Sequence, residues 1–203
     1  MADPAARERP LSIEEYLDLE ETSSVRHEYV AGQRYTMTGT TRRHNEIVLN
    51  IAILLRAAAR SGPCHVYVES VKVRAAGDVV YYPDVVVTCD PTDDDPLIVH
   101  RPCLVVEVLS PSTRVTDQRE KAMVYKTMTS LAAYLIIDQE QRLVQRHWRD
   151  GSGEWRRAAV AEHGDLPLPC PELLLTLDEI YEGVELPPAE ERLRVREEEA
   201  AYR

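Results

Sequence analysis

Two stretches decide the reading: YYPDVVV (Tyr81–Val87) and LVVEVLSPST (Leu104–Thr113). Each is a β-branched, near-continuous apolar run, as expected of a central strand covered on both faces. Each carries one carboxylate, Asp84 in the first and Glu107 in the second. A lone buried charge costs several kcal/mol, so two acids in such runs ask for a compensating partner. If the strands are neighbours, the carboxylates converge, and two like charges close together raise at least one pKa unless a cation neutralises them. A hard divalent ion such as Mg²⁺ or Mn²⁺ takes oxygen ligands and keeps water for a phosphate substrate.

The rest of the 203-residue chain supplies one substantial core. PLSIEEYLDLEE predicts a helix capped by Ser12 with Glu15 completing a capping box, ending near Thr22. RHEYVAGQRYTMTG alternates around Ala31-Gly32 and predicts a hairpin. TRRHNEIVLNIAILLRAAARSG predicts a long helix with Ile47, Ile51, Leu54 and Leu55 on one face, stopped by Gly62-Pro63. CHVYVESVKVRA alternates from Cys64 to Ala75 and reads as one strand. VVYYPDVVVTC follows as a strand that Pro83 makes irregular where Asp84 begins. After SPST, DQREKAMVYKTM predicts a helix with Ala122, Tyr125 and Met128 inward; LAAYLIIDQ predicts a central strand. RLVQRHWRDGSGEWRRAAV predicts a hairpin about Asp150-Gly151, and LPCPELLLTLDEIYEG a helix from about Pro171. Mixed strands with helices on both faces make an α/β domain. No boundary interrupts residues 1–186; the segment 187–203, after Pro187-Pro188, reads as a charged tail. Phe is absent, so Tyr, Leu and Val must fill the core.

Composition narrows the function. A net charge of -11 argues against a nonspecific nucleic-acid binder, although TRRHN, KVR and RLVQRHWR leave room for a local basic face. Cys64, Cys89, Cys103 and Cys170 stand far apart with no C-x-x-C pair, which predicts neither a zinc site nor a disulfide framework. No apolar run approaches the roughly 20 residues of a membrane span. These features point to a reducing cytoplasm.

RHNEIVLNI, YYPDVVV, LVVEVLSPST and DQREKAMVYKTM together resemble the Uma2 family, a bacterial branch of the PD-(D/E)XK nuclease superfamily, over residues about 10 to 185. The resemblance implies a restriction-endonuclease-like α/β core: a mixed central sheet flanked by helices, with an N-terminal helix–hairpin and a C-terminal hairpin–helix added. It implies a Mg²⁺- or Mn²⁺-dependent endonuclease acting on DNA, with Asp84 and Glu107 as metal ligands, the Val108 carbonyl as a backbone ligand, and Glu46 as an acid on the first core helix, bound directly or through water. It also implies a homodimer, since two strands need two active sites.

One departure stands out. The lysine of (D/E)-X-K falls at Leu109. The resemblance moves its role to the following helix, where Lys121 stands and from which a long stem can reach back; Lys72 is the competing candidate. Arg43, His44 and Lys72 are candidate substrate contacts. Plainer readings accompany each residue: Asp84 as a strand-start acid bonding backbone, Glu107 as a partner of Arg114, Glu46 as a helix-dipole glutamate, Lys121 as a partner of Asp117. A nuclease-like protein that binds nucleic acid or a partner without cutting is the alternative function.

Overall fold

A computed structural model of the chain describes residues 9–109 and 120–188. The N-terminal helix α1 (Ile13–Thr22) begins as its capping box requires. Ser12 Oγ accepts from Glu15 N at 3.2 Å, and the Glu15 carboxylate accepts from Ser12 N at 2.8 Å. Strands β1 (His27–Val30) and β2 (Gln33–Thr36) form the expected hairpin. Ala31 and Gly32 both take positive φ there, 48° and 89°, the twist a two-residue hairpin loop needs. Helix α2 (Arg42–Ala59) is capped by Thr41, whose hydroxyl accepts from His44 N at 3.1 Å. It buries Ile47, Val48, Ile51 and Leu55, at about 1.5–3 kcal/mol of hydrophobic stabilisation each.

The middle of the chain departs from the expected two strands. The alternation from Cys64 to Ala75 divides into β3 (His65–Val68) and β4 (Lys72–Ala76). The run from Val79 to Cys89 divides into β5 (Val79–Tyr81) and β6 (Val85–Thr88). These pieces lie in two different sheets. Joined by β7 (Ile98–Val99), the first sheet has the order β2-β1-β5-β4-β7. The second holds β3, β6, β8 (Leu104–Leu109), β9 (Ala133–Asp138), β10 (Leu143–Arg149) and β11 (Trp155–Ala161), in the order β11-β10-β9-β8-β6-β3.

One antiparallel ribbon thus crosses between sheets and bends at 69–71 and 82–84. Glu69 takes a positive φ of 51° at the bend. Its N–H donates to Asp84 O at 3.0 Å, holding the two bent chains together. Pro83 has no N–H to give the ladder, which suits the break.

Only β8 and β9 pair parallel in the second sheet; its other pairs are antiparallel. α3 (Ala122–Tyr125) carries the expected inward residues: Ala122, Tyr125 and nearby Met128 are buried. The upstream part of that predicted helix lies outside the described residues, as does the tail from 189 onward.

The helix expected from Pro171 is replaced by a hairpin. β12 (Asp165–Pro169) pairs with β13 (Glu172–Thr176) across a cis Cys170–Pro171 bond, and only then does α4 (Leu177–Ile180) begin, capped by Thr176 with Glu179. Leu173–Leu175 is an apolar run too short to distinguish period 2 from 3.6, and the capping signal sits at Thr176, later than Pro171.

The central strands of the second sheet, β6, β8 and β9, are buried on both faces. Val85, Val87, Leu104, Val106, Val108, Leu135 and Ile137 face α2 and α4. Val86, Val105, Leu109 and Ile136 face the other way, into a core that also holds Val73 and Val79 of the first sheet. Tyrosines fill that side in place of Phe: Tyr125 stacks obliquely on Tyr81 and Tyr134 with ring centroids 5.4 and 5.1 Å apart.

The cysteines overturn the expectation drawn from their spacing. They form two disulfides, Cys64–Cys89 and Cys103–Cys170. Spacing along the chain carries only local information, whereas strand pairing brings these residues together over separations of 25 and 67 positions. No helix among the described residues is long and apolar enough to cross a membrane.

Candidate functional site

The ribbon's bend creates the site. Asp84 ends the irregular stretch just before β6, so its carboxylate is not committed to a sheet face. Asp84 Oδ2 accepts from Val108 N at 2.6 Å and lies 3.3 Å from His44 Nε2. The β6–β8 register pairs Val85 with Val106, and one further step sets position 84 opposite position 107. The two motif acids therefore sit at facing positions of adjacent strands, as the sequence reading supposed.

Glu107 turns into the tyrosine-lined core and is 4% exposed. Its Oε1 accepts from Lys121 Nζ at 3.3 Å and from Tyr125 OH at 3.2 Å. Lys121 Nζ also donates to Glu28 Oε1 at 2.8 Å and stands 5.1 Å from the Tyr81 ring centroid. Glu28 Oε1 accepts in addition from Tyr82 N at 3.3 Å.

The electrostatics follow from this packing. Burial raises the Tyr125 phenol well above its ordinary range, and the Glu107 charge adds to that; it therefore stays a hydrogen-bond donor. Tyr81 is pushed up to about 12 by burial, against which Lys121 pulls down. For His44, burial favours the neutral ring, but the hydrogen bond and charge of Asp84, with Glu69 and the Val108 backbone, outweigh it and raise the pKa.

Leu109 is 1% exposed and packs among the tyrosines. An ammonium at that position would be buried in an apolar layer, whereas Lys121 enters from α3 along a polar path lined by Glu28 and Glu107.

Of the residues singled out in the sequence, Asp84, Glu107, Val108, Lys121 and His44 come together here. Glu46 is exposed on α2 and makes no hydrogen bond or ion pair among the described residues. Arg43 Nε donates to Glu185 O at 2.8 Å. Lys72 is buried with its Nζ 5.7 Å from the Tyr82 ring centroid. Arg114 and Asp117, the plainer partners for Glu107 and Lys121, lie outside the described residues. Sequence reasoning missed Glu28, because a hairpin acid looks like any solvated charge until the fold brings α3 across it. It assigned Tyr125 to the core, where it is, without its bond to Glu107.

The donor set at Asp84 and Glu107 is all oxygen, which suits a hard cation. Among the described residues no group of three Asp, Glu, His or Cys ligand atoms within 4.8 Å of one another includes Asp84 or Glu107, so the Val108 carbonyl and water would have to complete a shell.

The model of the family described as "Uma2: Putative restriction endonuclease" matches residues 13–179. Two relatives come from Synechocystis sp. (strain ATCC 27184 / PCC 6803 / Kazusa). "Uncharacterized protein slr1290" is 33% identical over 183 residues, covering 89% of this chain and 96% of the relative. "Uncharacterized protein sll1609" is 30% identical over 149 residues, covering 71% and 84%. A crystal structure from Anabaena variabilis ATCC 29413, described as "a putative nuclease belonging to DUF820", superposes with a TM-score of 0.72 at 16% identity, covering 87% of this chain and 100% of that one. At that identity the likeness speaks for the fold.

Proposed function

Because this chain belongs to the Uma2 family and has the restriction endonuclease-like fold, we propose that it is a metal-dependent nuclease that hydrolyses phosphodiester bonds in DNA. The observation that carries the reading is the facing placement of Asp84, just before β6, and Glu107 on β8, with Lys121 Nζ 3.3 Å from Glu107.

Facing positions of adjacent strands supply two carboxylates, and Val108 follows one of them in the chain; this all-oxygen donor set suits a hard divalent ion. In this reading Asp84, Glu107 and the Val108 carbonyl would hold Mg²⁺ or Mn²⁺, with Glu46 bound directly or through water. Such an ion supplies Lewis-acid polarisation of a phosphoryl oxygen and eases deprotonation of an attacking water. Lys121 positions that water and offsets the negative charge that develops on the phosphate. Tyr125, a lasting donor, orients Glu107. His44, whose pKa Asp84 raises, would with Arg43 and Lys72 offer polar contacts and positive charge to the substrate backbone.

The test is nicking of supercoiled DNA in Mg²⁺ or Mn²⁺, with matched RNA alongside. Cleavage that stops with chelator and is lost in both Asp84→Asn and Glu107→Gln supports the reading. Undiminished cleavage in both folded variants removes this site from the chemistry.

A second reading, a nuclease-fold protein that binds without cutting, draws on two facts. Leu109 stands where the motif lysine would be, and Lys121 is shared between Glu28 and Glu107. Calorimetry decides between them: no divalent binding at millimolar metal favours the binding protein. The proposal extends to a cytoplasmic homodimer. β3 is an edge of the second sheet, with its own Tyr67 and Val68 exposed; chain mass in solution tests the pairing.

A further inference from the structure

Four cysteines from four separate places meet at the opposite end of the strands that carry Asp84 and Glu107. Cys64 immediately precedes β3, Cys89 follows β6, Cys103 precedes β8, and Cys170 lies in the turn between β12 and β13. The β3–β6 register pairs His65 with Thr88, and one step outward sets Cys64 against Cys89. Cys103 N donates to Val87 O at 2.7 Å, fixing Cys103 to the same end of β6.

The two disulfides also touch each other. Cys89 Sγ lies 3.1 Å from Cys170 Sγ and 3.5 Å from Cys103 Sγ. The sulfurs of Cys64, Cys89 and Cys170 all lie within 4.8 Å of one another, and this group contains no carboxylate or imidazole. All four residues are half-buried; three pack directly against the core.

Two staples gain nothing by contact, since each acts by closing its own loop. A soft divalent ion does require four sulfurs in one place. Tetrahedral Zn²⁺ with Zn–S of about 2.3 Å sets sulfurs about 3.8 Å apart; the Cys89–Cys170 and Cys89–Cys103 spacings of 3.1 and 3.5 Å are near this, and Cys103, outside the group within 4.8 Å, would move in as its disulfide opens. The all-sulfur donor set excludes Mg²⁺ and Ca²⁺ as natural occupants. Strand ends and a tight turn hold the ligands, and four thiolates close the shell, the pattern of a structural rather than a catalytic site.

We propose that, in its reduced state, the Cys64–Cys89–Cys103–Cys170 cluster is a tetrathiolate Zn²⁺ site that clamps the ends of β3, β6 and β8 to the β12–β13 turn. The two disulfides are the oxidised form of the same cluster. A dithiol or phosphine reductant supplies four electrons, and with four protons from solvent the two S–S bonds become four thiols. Zn²⁺ then displaces those four protons as the thiols become thiolates. This site is independent of the nuclease reading.

The test uses the full chain, reduced with a phosphine under inert gas and titrated with Co²⁺ as a coloured substitute for Zn²⁺. The expected result is a sulfur-to-metal charge-transfer band with the intense visible bands of tetrahedral Co²⁺, saturating at about one ion per chain and bleached by Zn²⁺. A cation at Asp84 and Glu107 has no sulfur ligand and gives no such band. The Cys103→Ser/Cys170→Ser double variant should lose the band or bind at least tenfold more weakly. If the reduced chain unfolds without metal, band and circular dichroism should return together on adding Co²⁺. A reduced chain that shows no band, folded or not, overturns the proposal, as does an undiminished band in the double variant.

Discussion

Lys121 Nζ lies 3.3 Å from Glu107 Oε1, and the same ammonium lies 2.8 Å from Glu28 Oε1. One cation, immediately before α3, thus serves two carboxylates, one on β8 and one on β1, and ties the N-terminal hairpin to the motif strand. The lysine's side chain is 6% exposed, so solvent screens this arrangement little.

Lys121→Met keeps the stem and removes the charge. Cleavage should fall by roughly 100-fold or more, the usual loss when one charge-stabilising donor is removed. Stability should fall as well, by about 3–5 kcal/mol, because a shared buried cation is gone. Urea unfolding beside a nicking assay reads both. Unchanged activity in a folded variant would assign the lysine a purely structural place.

Asp84→Asn tests the metal ligand without emptying the bend, because an amide oxygen can still accept from Val108 N. Activity in Mg²⁺ should drop by roughly 100-fold or more, with divalent affinity reduced in calorimetry. A variant with full divalent affinity would place the ion elsewhere.

His147 is 3% exposed on β10, and neither ring nitrogen has a partner among the described residues. Burial, then the charges of Lys126 and Arg157, lower its pKa from 6.5 to about 4. The unfolded chain therefore binds the extra proton first as pH falls. Stability from keeping this ring neutral is complete above pH 6.5 and is lost progressively toward pH 4, amounting to about 3 kcal/mol. His147→Phe should flatten the stability curve across that window. Equal slopes in denaturant titrations of the two chains would contradict this account.

Glu69 holds a φ of 51° at the ribbon's bend. Glycine occupies that conformation without the Cβ penalty, so Glu69→Gly should raise stability by about 1 kcal/mol. A drop in melting temperature would mean that the glutamate side chain supplies something the backbone argument omits.

The legible parts of this fold were those whose signals are local. Ser12 and Glu15 announce α1, Ala31-Gly32 the first hairpin, and the apolar run around Glu107 the central strand. Pro83 marked the irregularity at Asp84. Illegible parts depend on residues distant in the chain or lack a punctuating signal. Glu69 breaks a clean alternation without glycine or proline, so Cys64–Ala75 reads as one strand although it serves two sheets. Leu173–Leu175 fits a helix as well as a strand. Glu28 meets Lys121 across 93 positions, and the cysteines meet through strand pairing that spacing alone does not encode. At the candidate site, the apolar runs made Asp84 and Glu107 conspicuous as buried acids, whereas Lys121 and His44 entered only as candidates; the structure sets Lys121 beside Glu107 and His44 beside Asp84. Glu28 had no distinguishing mark.

The crossing ribbon has a consequence for evolution of the chain. Because β6 and β8 present alternate residues to opposite cores, a one-residue slide would carry Glu107 from its tyrosine chamber to the helix-packed side. Insertions or deletions within either strand should therefore be purged, while the Asp90–Pro96 loop between them can lengthen freely without disturbing where the acids point.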